Sequence, residues 1–223
     1  MWRDTWLVAG KDLRIEARSR VALSQVAPFG VVALALFAFA LGPDRALMVK
    51  GAPGLFWVAV LFTTVLAIQR SVSVESVDGA RDGLRLSGLD PAGQFLGKTL
   101  SVAAELLVLE LVLALGVVLL YGAHIQTYWL IVASCLLGTL GLASAGVLYG
   151  ALSAGLRVKE TILPFLLLPV VTPVLLSGTR IWQAALSGGT PSYATPWFQL
   201  LAAFDAVYLA LGVVAYGPIQ EST

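Results

Sequence analysis

The stretch RSVSVESVDGARDGLRLSGLDPAGQFLGK, residues 70–98, decides the fold. It carries four basic residues (Arg70, Arg81, Arg85, Lys98) and four acidic ones (Glu75, Asp78, Asp82, Asp90). Before it runs APGLFWVAVLFTTVLAIQ (52–69), and after it TLSVAAELLVLELVLALGVVLLY (99–121). Both flanks are long and apolar enough to cross a bilayer as helices, and the charged stretch is not. It is the longest polar segment between apolar runs, so it is where a soluble partner would grip.

The rest of the chain agrees with a membrane reading. Charged residues make up 12% of the 223, about half the ~25% usual in soluble domains. A hydrophobic share of 58% and a mean hydropathy of +0.88 complete the picture of a polytopic membrane protein. Net charge +1 says nothing about nucleic acid, and with no Lys/Arg cluster interleaved with aromatics no nucleic-acid partner is expected. The single cysteine, Cys135, permits no disulfide within the chain and reads as a small core residue.

Apolar runs place six spans at 21–42, 53–69, 99–121, 128–156, 161–177 and 197–217. Residues 1–20 read as an amphipathic helix at the membrane interface. Trp2, Trp6, Ala9, Leu13 and Ala17 share one helical face, with Arg3, Lys11, Arg14 and Arg18 on another. Its acids Asp4, Asp12 and Glu16 and its length argue against a cleaved signal peptide. With the N-terminus inside, inner segments hold eleven of the fourteen basic residues and outer segments only Arg45, Lys50 and Arg180. That asymmetry puts both termini in the cytoplasm. The expected fold is all-α: one transmembrane domain over 1–223, with an interfacial helix at 1–20 and a cytoplasmic coupling segment at 70–98. An outer loop at 178–196 should carry a short interfacial helix, because Ile181–Leu186 is apolar but too short to cross.

Several motifs carry competing readings. Ala92–Thr99 (AGQFLGKT) looks like a loose phosphate-binding loop, but a membrane span follows it, so Lys98 reads as reaching for the inner surface. Gly146, Gly150 and Ala154 form a small-residue stripe for helix packing, within the chain or between two copies. Pro164, Pro169 and Pro173 should bend the fifth span. His124, the lone histidine, reads as a polar residue at an interface. One histidine, one cysteine and no metal-ligand spacing argue against a membrane enzyme, so no catalytic residue and no metal site is expected.

Glu110 and Asp205 form a candidate polar site inside the membrane. Glu110 lies about 16 Å from the inner end of its span and Asp205 about 12 Å from the outer end of its own, which is nearly one depth. Acids there are costly and face a protein interior or a wet cavity. Each separately meeting a local hydroxyl is one reading; a shared cavity between spans three and six is the other. Glu105, about 140° around the helix from Glu110, should stand apart. Buried acids of this kind also suit a secondary transporter.

In the charged segment, Asp78-Gly79 and Asp82-Gly83 form turns, and Leu84, Leu86 and Leu89 sit amid charge before Pro91. A solvated connector is one reading. The other is a short helix docking by its leucines into a groove of a soluble ATPase, with Glu75, Asp78, Gly79, Asp82, Gly83, Leu84, Arg85, Leu89 and Pro91 as contact residues.

At this point the chain resembles the haem exporter protein B family, the membrane subunit of the cytochrome c maturation ABC transporter. The resemblance rests on Ala52-Pro53-Gly54 with Trp57-Val58-Ala59 opening the second span. It continues through Glu75, Asp78-Gly79, Leu84, Leu89, Pro91 and Lys98, and through Leu168-Pro169, Pro173 and Leu175 in the fifth span. It covers nearly the whole chain, departing at Arg81-Asp82-Gly83 and Gly88. It implies an ABC-exporter-type membrane domain in the bacterial inner membrane, non-catalytic by itself. It also implies a separate ATPase subunit that binds ATP, a haem-handling membrane subunit and a haem chaperone. Haem is then the transported or handled ligand, not a cofactor held by this chain. Six spans are half of what an ABC transporter needs, so a second copy of the chain is expected. The alternative is the membrane subunit of another ABC-2-type exporter, for a lipid or small molecule.

Overall fold

A computed structural model describes residues 1–19, 22–75, 88–153, 159–189 and 191–222. Among these residues the chain is helical throughout, without a strand: α1 (Trp2–Ser19), a π-helical turn (Ala22–Val26), α2 (Ala27–Leu41), α3 (Arg45–Glu75), α4 (Pro91–Tyr121), α5 (Tyr128–Ser153), α6 (Lys159–Ser187) and α7 (Pro191–Ser222). Six of them are long and apolar enough to cross a membrane, as expected. The end of the bundle where α3 finishes at Glu75 and α4 begins at Pro91 is the near end, and the opposite end the far end.

Local chemistry sets the helix ends. Asp44 accepts the N–H groups of Ala46 (2.9 Å) and Leu47 (3.1 Å) and starts α3 earlier than hydropathy places it. Asp90 accepts from the Ala92 N–H (3.2 Å), and Pro91 opens α4 in the first-turn position that needs no N–H. Gly122, at φ 60°, ends α4 in the left-handed conformation. These caps lengthen α3 and α4 to 31 residues each, about 46 Å against a core of about 30 Å.

Helix α5 is the centre of the bundle, packed against α3, α4, α6 and α7. Its small residues make that possible. Any Cβ at Gly138 would collide with the Trp57 ring from α3, as would one at Gly178 of α6, so the indole is socketed between two glycines. Trp57 in turn meets Phe56 edge-on at 5.6 Å, and Phe56 stacks on Trp182 at 3.9 Å. Gly146 and Gly150 receive Ile68 and Val72 of α3. The stripe that the sequence leaves open therefore packs within one chain; its third member, Ala154, lies outside the described residues.

Two elements differ from the sequence reading. Ile181–Leu186 forms no separate helix, because α6 runs unbroken to Ser187. Ile181, Trp182, Ala184 and Ala185 are buried in the bundle, and the helix stops where Gly188 (φ 66°) lets the Gly189 N–H reach the Ala184 carbonyl at 3.0 Å. The first helix, α1, packs along α4, a contact that the sequence reading did not include. A Cβ at Gly93 would lie 2.8 Å from the Met1 carbonyl oxygen, and one at Gly97 2.7 Å from that of Thr5. Further on, Gly30 of α2 faces Leu113 and Thr63, and the Tyr121 hydroxyl donates to the Leu34 carbonyl at 2.8 Å. The contacts ascend in step, so α1 and then α2 run alongside α4 in the same direction. Thr5, Val8 and Ala9 form the buried face of α1, while Trp2 (70% exposed) and Trp6 (67%) are open.

Candidate functional site

Of the proposed coupling residues, Asp78, Gly79, Asp82, Gly83, Leu84 and Arg85 lie outside the described residues, and Glu75 is the last residue of α3. Leu89 and Pro91 are described, and their surroundings form a frame at the near end. The Gln94 side chain donates to the Leu89 carbonyl at 3.1 Å, and the Gln220 side chain of α7 donates to Gln94 at 3.1 Å. The Asp90 N–H donates to the Asp4 carboxylate at 3.3 Å, and that bond holds the Asp4 carboxyl below the ordinary aspartate value of 3.8. On the other stem, Arg70 Nη1 meets Glu16 at 2.8 Å (Oε2) and 3.0 Å (Oε1), and its Nη2 donates to Ser19 at 2.8 Å. A planar guanidinium suits this two-oxygen contact. The ends of α3 and α4 that border residues 76–87 are thus both tied to α1, and the α4 end also to α7.

Sequence reasoning missed Asp4, Glu16, Gln94 and Gln220 here. The signal was present in Gly93, Gly97 and Ser101, a small residue at every fourth position. The phosphate-loop-like motif is a seam that lets the α1 backbone touch α4. Lys98 does not reach for the surface: it is 7% exposed, two turns inside α4, where α1 and α7 pack against that helix.

Glu110 and Asp205 meet α5 at neighbouring heights but on different faces. Thr139 of α5 donates to Glu110 Oε1 at 2.6 Å. Asp205 of α7 lies against Gly141 of α5, where a Cβ would be 2.7 Å from its Oδ1. Residues 139 and 141 are adjacent in height but about 200° apart around a helix. Glu110 and Asp205 therefore approach α5 from opposite faces, with the helix between them. Both are buried, at 3% and 4% exposure. Among the described residues, Glu110 Oε2 and both Asp205 oxygens have no hydrogen-bond partner. Glu105 is half-buried on α4. His124 is exposed in the far-end connection between α4 and α5.

The sequence also matches known proteins along nearly its whole length. The family model described as CcmB protein matches residues 3–219. Heme exporter protein B of Paracoccus denitrificans is 32% identical over 209 residues, covering 92% of this chain and 93% of that protein. Its namesake in Pseudomonas aeruginosa is 30% identical over 212 residues, 94% of each. That of Haemophilus influenzae is 31% identical over 179 residues, 78% of this chain and 79% of that protein. With six membrane-length helices in one bundle and a family match from residue 3 to residue 219, this chain is a multi-pass membrane protein and belongs to the CcmB protein family.

Proposed function

We propose that the chain is the membrane subunit of an ABC transporter for cytochrome c biogenesis. It couples ATP hydrolysis by a separate subunit to haem export or to release of a haem-loaded chaperone. The observation that carries this reading is the framed near end: both stems of residues 76–87 are held by α1, so a partner gripping that segment would load α3 and α4 together. The near end faces the cytoplasm of the cell and the complex sits in the inner membrane, in keeping with the distribution of Lys and Arg. The functional unit holds two copies, since six spans make half a transporter, and the haem-handling subunit and chaperone join at the membrane and its outer face.

Pull-down from mild detergent tests the central contact. The wild-type chain should bring down a separate ATPase, and Leu84→Asp with Leu89→Asp should lose it while the protein stays in the membrane. An ATPase retained by the double variant would sink the contact.

A further inference from the structure

We propose that the open side of α1 binds the headgroups of anionic phospholipids. Helix α1 carries four basic residues (Arg3, Lys11, Arg14, Arg18) and three acidic ones (Asp4, Asp12, Glu16), so its charges nearly cancel in the sequence. The fold separates them. Thr5, Val8 and Ala9 are the buried face, and at about 100° per residue Asp12 and Glu16 point within about 30° of its centre. Glu16 is held by Arg70, and Asp4 by the Asp90 N–H. The acids are therefore turned toward the bundle, with Asp4 only 13% exposed. The bases are turned away from it: Arg3 is 88% exposed, and Lys11, Arg14 and Arg18 are exposed as well. Arg3 and Lys11 keep contact with the acid next to them, at 3.7 and 2.9 Å, while Arg14 and Arg18 have no ion pair among the described residues. The solvent side of α1 is thus a basic surface that its composition alone does not show.

The side chains next to that surface select the partner. Trp2, Trp6 and Leu13 are exposed and lie within about 40° of one another, about 90° round the helix from the buried face. The four bases follow, centred about 120° further on. Helix α1 therefore has three sides: one on the bundle, one aromatic, one basic. An acidic protein surface would satisfy the bases and leave the indoles in water. A phospholipid satisfies both, because its glycerol and acyl boundary receives indoles while its phosphate receives guanidinium and ammonium groups. Charge then favours an anionic headgroup, since the ammonium of a zwitterionic one offsets its phosphate. Gly10 lies between Trp6 and Arg14 on this side, and a Cβ there would meet nothing within 4 Å. A headgroup can settle in that notch between an indole and a guanidinium.

The test places the full chain in nanodiscs of mixed phosphatidylcholine and phosphatidylglycerol, with bromine on the acyl chains of one lipid or the other at equal mole fraction. Bromine quenches nearby tryptophan, and the share due to Trp2 and Trp6 is the difference between wild type and the Trp2→Phe, Trp6→Phe variant. Brominated phosphatidylglycerol should quench this pair more strongly than brominated phosphatidylcholine, as a roughly fivefold local enrichment of the anionic lipid requires. High salt should remove the preference. So should the combined Arg3→Gln, Lys11→Gln, Arg14→Gln, Arg18→Gln variant, whereas Arg3→Lys, Arg14→Lys, Arg18→Lys, which keeps every charge, should retain it. Equal quenching by the two lipids, or no quenching of Trp2 and Trp6 by either, overturns the proposal. It is also overturned if the glutamine variant keeps the lipid preference but loses a separate ATPase in the pull-down, since the basic surface would then belong to that protein.

Discussion

Replacing Gly97 by Ala should pry α1 from α4. The added methyl would sit 2.7 Å from the Thr5 carbonyl oxygen and 2.7 Å from Val8 Cβ, where ordinary contact begins at 3.4 Å. Each neighbour must retreat by about 0.7 Å. The Thr5 oxygen is backbone, so no rotamer change relieves it and the whole helix has to move. Overpacking of this kind costs about 1–3 kcal/mol, which at ~0.59 kcal/mol per RT is a roughly 5- to 150-fold rise in the detached population. The assay is maleimide labelling of Ala9→Cys, buried at 1% exposure, in a Cys135→Ala background. The labelling rate should rise by that factor when Gly97→Ala is added. Gly10→Ala is the control: its Cβ would meet nothing within 4 Å, and Ala favours a helix over Gly by about 1 kcal/mol, so labelling should stay level or slow. Equal rates in the Gly97→Ala and parent proteins would refute the reasoning.

Three further outcomes follow from the packing. Thr139→Val should cost about 1 kcal/mol of bundle stability in detergent unfolding, while Thr139→Ser, which keeps the hydroxyl, should stay near wild type. Because α5 separates Glu110 from Asp205, the stability changes of Glu110→Gln and Asp205→Asn should add to within about 0.5 kcal/mol in the double variant; a larger departure would mean that the two acids share a site. Asp4 ionises below its unfolded value of 3.8, so its contact with the Asp90 N–H is fully present above that value and lost as pH falls through the lower folded value. A spin label at Arg3 should accordingly gain mobility only on acidification below about pH 4, and in Asp4→Asn that step should vanish.

Much of the fold was legible because each span is a long apolar run, and length against bilayer thickness settles existence and type. The boundaries were less so. Hydropathy stops at charged or polar residues, whereas α3 and α4 continue until a cap ends them, and Asp44 and Asp90 are caps that an apolar window does not register. The neighbouring heights of Glu110 and Asp205 on α5 followed from counting residues along helices. Their separation did not, since the azimuth of each helix is set by tertiary contacts such as Thr139 and Gly141. The near-end frame was hidden for the opposite reason. Gly93 and Gly97 looked like loop chemistry because Lys98 and Thr99 follow them, and only the helix beginning at Pro91 turns their spacing into a packing seam.

The parallel course of α1 along α4 has a consequence for biogenesis. Asp4 and Asp90 are 86 residues apart in the chain, so α1 leaves the ribosome long before the seam that receives it exists. At elongation rates of about 5–20 residues per second, several seconds separate the two. Through that interval two spans must insert as a hairpin while α1 waits on the side from which it came. Its Trp2, Trp6 and Leu13 face, still open in the finished bundle, can rest among lipid headgroups meanwhile. Docking of α1 then becomes a late step that reports arrival of the third span, and a chain whose seam is blocked would insert normally yet keep a loose, protease-sensitive leading helix.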